Sequence, residues 1–183
     1  MAPAAGWICL LPGQPCHTPV VTNTHSTPPV TDAERLERIG QLKARYDADR
    51  VEMYALIRNV WPEDRGEPRV VTRRSEVVER SGLSYQTVDN IRAGKTKPRA
   101  DNRADRDTSE RPSPASDAER LERIGFLRDR SASDRAELLA LVKDAFPETR
   151  GEAKVHGRVG QVCELTGWKR EYVSRIRNGD VTA

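Results

Sequence analysis

Two short runs of this chain carry side chains suited to reading flat hydrogen-bonding edges. Tyr85, Gln86, Asp89 and Asn90 fall at helical spacing on one outward face. Gln and Asn can each form two parallel hydrogen bonds with the N6/N7 edge of adenine. At an offset of 85 residues, Arg170, Glu171, Ser174 and Arg175 occupy the same places. There Arg suits the two acceptors of guanine, and Glu can accept from cytosine N4. Cations flank both runs: Arg73, Arg74, Arg92, Lys95 and Lys97 around the first, Arg158, Lys169 and Arg177 around the second. Such charges suit phosphate oxygens and supply affinity without sequence information. The chemistry expected of these sets is recognition of base edges in double-stranded DNA, each run preferring a different sequence.

No catalytic set competes with that expectation. The sequence offers no nucleophile–base pair, no phosphate-cradling glycine loop and no metal-ligand cluster, and its three His are scattered. Its many carboxylates alternate with Arg at helix-surface spacing. Cys9, Cys16 and His17 lack the second Cys or His pair that a zinc site needs. Cys163 falls at a core position and reads as a small hydrophobe, and His156 reads as a surface or phosphate-contacting group. The expectation is no enzyme, no metal and no cofactor.

The elements that must position the two runs come from an internal repeat. Residues 31–95 and 116–180 align without a gap, with 30 identities over the 64 positions from Thr31/Ser116 to Gly94/Gly179. Thr31-x-x-Glu34 and Ser116-x-x-Glu119 are capping boxes that start a helix in each copy. Leu36, Ile39 and Leu42, matched by Leu121, Ile124 and Leu127, form its apolar stripe. Asp49-x-x-Glu52 and Asp134-x-x-Glu137 offer a second start, so one long helix or two successive ones both fit. The poor helix formers Tyr46-Asp47-Ala48 and Ser131-Ala132-Ser133 favour a break near 46–49. Trp61-Pro62 and Phe146-Pro147 end the helix, and Gly66 and Gly151 allow the turn that follows. Each copy then closes with two short helices about a glycine turn, at Gly82 and Gly167. Leu83, Val88 and Ile91 form the inner wall in one copy, Trp168, Val173 and Ile176 in the other, with Val77 and Val162 facing them. Ser84 can cap the last helix of the first copy; Lys169 stands in its place in the second.

The segments RSEVVERSGLSYQTVDNIRAG and VGQVCELTGWKREYVSRIRNG resemble the helix-turn-helix superfamily of bacterial and phage repressors over roughly 25 residues each. The tail TVDNIRAGKTKP is similar to the Cro/repressor branch. The resemblance implies a DNA-binding fold whose second helix enters the major groove. The expected architecture is all-α: two small tandem helical domains, 31–95 and 116–180, each ending in a helix-turn-helix. A flexible linker, 96–115, would join them, and a disordered leader, 1–30, would precede them. Twenty flexible residues reach roughly 25 Å on average, so half-sites one DNA turn apart, about 34 Å, are accessible. Head-to-tail joining suggests an asymmetric composite site.

Charge supports the same reading. Lys and Arg against Asp and Glu run 7 to 9 over residues 32–68 but 7 to 3 over 69–97. The second copy repeats this, with 7 to 9 over 117–153 and 6 to 3 over 154–180. An overall charge of +3 therefore conceals acidic fronts and basic rears. With 36% hydrophobic and only 5% aromatic residues, small helical bundles suit the chain better than a large core. No stretch suits a membrane span, no feature asks for an oxidising compartment, and Arg far outnumbers Lys, a bias of GC-rich bacterial genomes. Cytoplasm or nucleoid is the expected location. The competing expectation is a helical protein–protein adaptor, in which the first-helix stripes pair with a partner or with each other.

Overall fold

The computed structural model describes residues 31–97, 114 and 116–181. All of its regular elements are helical. In the first repeat α1 spans Asp32–Asn59, α2 Arg73–Ser81 and α3 Tyr85–Arg92. In the second, α4 spans Asp117–Asp144, α5 Arg158–Thr166 and α6 Arg170–Asn178. Short 3-10 turns, Pro62–Arg65 and Pro147–Arg150, follow the two long helices. The leader and most of the expected linker lie outside the described residues.

Both long helices begin at the capping boxes. The Glu34 amide donates to the Thr31 hydroxyl while the Thr31 amide donates to the Glu34 carboxylate, and Ser116 and Glu119 repeat the exchange. Neither helix breaks near its middle; each runs unbroken for 28 residues. The expected break fails because the weak helix formers there cost only a few tenths of a kcal/mol each. Tertiary contacts at that place outweigh this. Asp49 and Asp134, each only 2% exposed, sit at the point where α1 and α4 pass one another. Arg45 donates through Nε to Asp134 at 2.6 Å, and Arg130 through Nε to Asp49 at 2.5 Å.

These contacts also set the direction of the pair. Arg38 meets Glu137 and Arg123 meets Glu52, outside the central two pairs. Contacts that run up one helix while running down the other make α1 and α4 antiparallel. Every contact in this set has a twin at an offset of 85, so the repeats are related by an approximate two-fold axis through residues 46–47 and 131–132.

The short helices then cross between the repeats. While α2 packs against α4 and α5 against α1, α3 stays on α1 and α6 on α4. Each core is accordingly mixed. One gathers Met53, Ile57, Val60, Trp61, Val77, Val88 and Ile91 with Ile124 and Leu127 of the other repeat. Its twin gathers Leu138, Val142, Phe146, Val162, Val173 and Ile176 with Ile39 and Leu42. The expectation of two separately packed units is therefore corrected. Burying Ile39, Leu42, Ile124 and Leu127 at about 1.5–3 kcal/mol each gives ~6–12 kcal/mol held across the repeat boundary. That rivals the whole stability of an ordinary domain, roughly 5–15 kcal/mol.

The two-fold axis lies perpendicular to the plane of α1 and α4, and such a rotation leaves height above that plane unchanged. Each short-helix pair straddles both long helices, so both pairs sit on one face.

Two outcomes test this arrangement. Cutting the chain at a protease site inserted between residues 98 and 113 leaves the halves co-eluting as one particle on size exclusion; halves that separate refute the shared cores. Arg45→Ala strands the buried Asp134 carboxylate and lowers stability in urea by about 3–5 kcal/mol, whereas combining it with Asp134→Leu recovers most of the loss.

Candidate nucleic-acid interface

In the first repeat the turn between α2 and α3 depends on Gly82, at φ 67°, a left-handed geometry that other residues adopt with strain. Ser84 then caps α3, its hydroxyl accepting from the Thr87 amide at 3.2 Å. Val88 and Ile91 are fully buried and fix the rotation of α3, which leaves Tyr85 and Gln86 exposed and Asp89 and Asn90 partly so. Gln86 donates to the Asn90 side-chain oxygen at 3.2 Å, placing the two amides side by side one turn apart. The second repeat uses Gly167, at φ 64°, in the same way. Lys169 occupies the cap position without a side-chain hydrogen bond. Around the buried Val173 and Ile176, Arg170, Glu171 and Arg175 are exposed and Ser174 is half-buried.

The structure thus brings each set of four onto one outward face. It divides the expected phosphate-binding cations. Lys95, Lys97 and Lys169 are exposed. Arg73 and Arg158 are buried and engaged elsewhere, which corrects their assignment to phosphate. Arg73 donates to Asp117 at 3.2 Å and to Glu76 at 3.1 Å, and Arg158 donates to Asp32 at 2.6 Å. Arg92 lies over the Trp61 ring at 4.2 Å and pairs with Glu63 and Asp64. Arg177 lies over Phe146 at 5.8 Å, with Glu148 at 3.8 Å. These two bind the end of the last helix of each repeat to the 3-10 turn beneath it.

Arg74 and Asp89 form a brace between α2 and α3. Arg74 donates Nε at 3.1 Å and Nη2 at 2.5 Å to Asp89, and its guanidinium stands 4.8 Å from the Tyr85 ring centre. Its equivalents in the second repeat, Val159 and Ser174, cannot pair this way. Arg170 and Arg175 consequently keep their charges without an ion pair among the described residues. One outward face is built on neutral amides and a neutralised pair, the other on unpaired cations.

Sequence reasoning missed the clamps that orient these faces. Asp32 accepts from Arg150 at 3.0 Å, from Arg158 and from Arg35. Its twin Asp117 accepts from Arg65 at 3.0 Å, from Arg73 and from Arg120. A turn arginine from one repeat thereby grips the start of the other repeat's long helix. The available signal was the identity of all these residues in both copies.

Among the described residues no group of three or more His, Cys, Asp or Glu could hold a metal ion, and no helix is long and apolar enough to cross a membrane. Cys163 is a free thiol packed against the second core, and His156 is exposed. Compared with family models, curated proteins and solved structures, the chain has no match.

The clamps carry a pH dependence. Burial raises the Asp32 and Asp117 carboxyls, but hydrogen bonds from Arg150 and Arg65 and the neighbouring Arg charges outweigh it, and both groups lie below the ordinary carboxylate value of 3.8. A carboxyl depressed in the folded state takes up its proton first in the unfolded chain. Its contribution is complete above roughly pH 4 and is lost as pH falls through the lower folded value. Urea midpoints are therefore expected to be insensitive to these groups between pH 5 and 8. Asp32→Asn with Asp117→Asn lowers the midpoint at pH 7 and flattens the fall below pH 4. An acid limb as steep in the double variant as in the parent refutes the clamps' role.

Proposed function

We propose that the chain is a sequence-specific double-stranded DNA-binding protein, most simply a transcriptional regulator, with α3 and α6 as its two reading helices. The observation that carries this reading is that α3 and α6, related by the approximate two-fold, each turn four polar side chains outward around a buried Val/Ile pair. The approximate two-fold relation of the repeats suits the dyad of duplex DNA. The resemblance to helix-turn-helix repressors and the basic rear of each repeat support the same reading, and a cytoplasmic or nucleoid location follows from it.

The two half-sites would be inverted in orientation yet unequal in sequence. Gln86 and Asn90 suit adenine, while Arg170 and Arg175 suit guanine with Glu171 directed to cytosine. Lys95, Lys97 and Lys169 remain as phosphate contacts. Of the stripe on which the adaptor alternative rests, Ile39, Leu42, Ile124 and Leu127 are buried within the chain itself.

The test is enrichment of random duplexes by the full chain at two salt concentrations. The expected product is a composite site of two inverted, non-identical half-motifs centred about 10 base pairs apart, retained less well as salt rises. Gln86→Ala with Asn90→Ala relaxes one half only, and Arg170→Ala with Arg175→Ala relaxes the other, each contact being worth about 1–3 kcal/mol. Retention of no duplex at low salt, or retention without any enriched sequence, overturns the proposal.

A further inference from the structure

A cleft of about 260 Å³ opens between the middle of α1, α4 and the turn that leads into α6. Three aromatic rings face it: Tyr46 from α1, with Trp168 and Tyr172 from the turn and α6. Trp168 and Tyr172 meet edge to face at a centroid distance of 5.0 Å. Three cations, Lys43, Arg50 and Arg135, line it against a single carboxylate, Asp47, which is paired with Lys43. The cleft therefore combines aromatic walls with two positive charges in excess.

At the twin position in the first repeat the side chains are arranged differently. The two-fold carries Lys43 to Arg128 and Asp47 to Ala132. With no carboxylate four residues on, Arg128 lays its stem over the turn, and a Cβ at Gly82 would stand 3.2 Å from its Cδ. Its guanidinium donates to the Glu79 carbonyl at 3.0 Å and to the Asp129 carboxylate at 2.8 Å. In the second repeat Asp47 draws Lys43 back. Tyr46, Trp168 and Tyr172 stand where the first repeat has Ser131, Leu83 and Thr87. Seven of the ten lining positions differ between the copies, and the differences add three rings and replace one arginine by lysine. Trp168 and Tyr172 also pack against the core beneath while lining the cleft.

We propose that this cleft binds a small planar anion, an aromatic carboxylate of one or two rings. Its volume lies below the roughly 300–1,000 Å³ of sites for drug-sized ligands, which excludes larger molecules. The rings would stack on the ligand's face and edge. Its carboxylate would be held by Arg135, which is exposed at the rim, and by Arg50, whose guanidinium lies 5.7 Å from the Tyr46 ring and donates to the Tyr54 hydroxyl. Because Trp168 adjoins the cap of α6, occupancy also sets the position of that helix. Binding stands independently of the function proposed above; its effect on DNA rests on that reading.

The probes are indole-3-acetate and 1-naphthoate, with indole-3-acetamide as the uncharged control, titrated into the full chain while the Trp168 indole resonance is followed by NMR. Both acids should shift it saturably, and the amide should bind at least tenfold more weakly. Arg135→Gln, at an exposed position, should weaken the acids about tenfold. Trp168→Leu, which installs the first repeat's residue, should abolish binding, read there from line broadening of the ligand's own resonances, while the chain stays folded by circular dichroism. Absence of a saturable shift for both acids up to ~10 mM, corresponding to less than about 3 kcal/mol of binding, overturns the site. Equal binding of acid and amide, or full affinity in Arg135→Gln, does so as well. Duplex affinity that changes on saturation with the acid supports coupling to α6, and affinity that stays constant overturns it.

Discussion

Asp49 and Asp134, buried under the guanidiniums of Arg130 and Arg45 where the long helices cross, fix the register on which everything else depends. An ion pair taken out of water is a weak source of net stability, because desolvation offsets much of its attraction. Its value here is selective. A slip of one helical turn, about 5.4 Å, would bury two carboxylates without partners, whereas apolar side chains alone would tolerate several offsets. With that register set, Ile39 and Leu42 meet one core, Ile124 and Leu127 meet the other, and Asp32 and Asp117 come within reach of the turn arginines. The separation of the two outward faces follows from the same choice.

Much of the local structure is legible in the sequence, because it is decided by neighbours along the chain. The capping boxes, the Trp61-Pro62 and Phe146-Pro147 stops, the left-handed glycines and the buried Val88/Ile91 and Val173/Ile176 pairs are all of this kind. The continuity of α1 through Asp47-Ala48-Asp49 is not, since it depends on an arginine 81 residues further on. Nor is the exchange of helices between repeats. The Leu36–Ile39–Leu42 stripe announces that it will be buried but is equally satisfied by its own repeat or by the other. Arg73 and Arg158 show the corresponding limit for charge. Beside a basic helix pair, an arginine that grips phosphate and one that grips Asp117 or Asp32 look the same until burial is known.

The repeat nevertheless contains a sorting of roles that the structure makes readable. Arg38, Arg45, Asp49, Glu52, Arg65 and Arg73 are each identical to their counterparts in the second copy, and all contribute to contacts between the copies. The outward positions of α3 and α6 differ at every one of the four places compared, as do Lys43, Tyr46, Asp47, Trp168 and Tyr172 at the cleft. What joins the repeats has stayed the same, and what faces outward has diverged.

Carrying both halves of a two-fold assembly on one polypeptide alters what the assembly is permitted to be. Separate subunits would dissociate on dilution, and their folded fraction would follow concentration. Here each long helix meets its partner in a unimolecular event, so occupancy of the paired state is independent of how few copies a cell holds. Strict symmetry is lifted as well. A homodimer must present the same face twice, while this chain presents amides on one side, and arginines with an open aromatic cleft on the other.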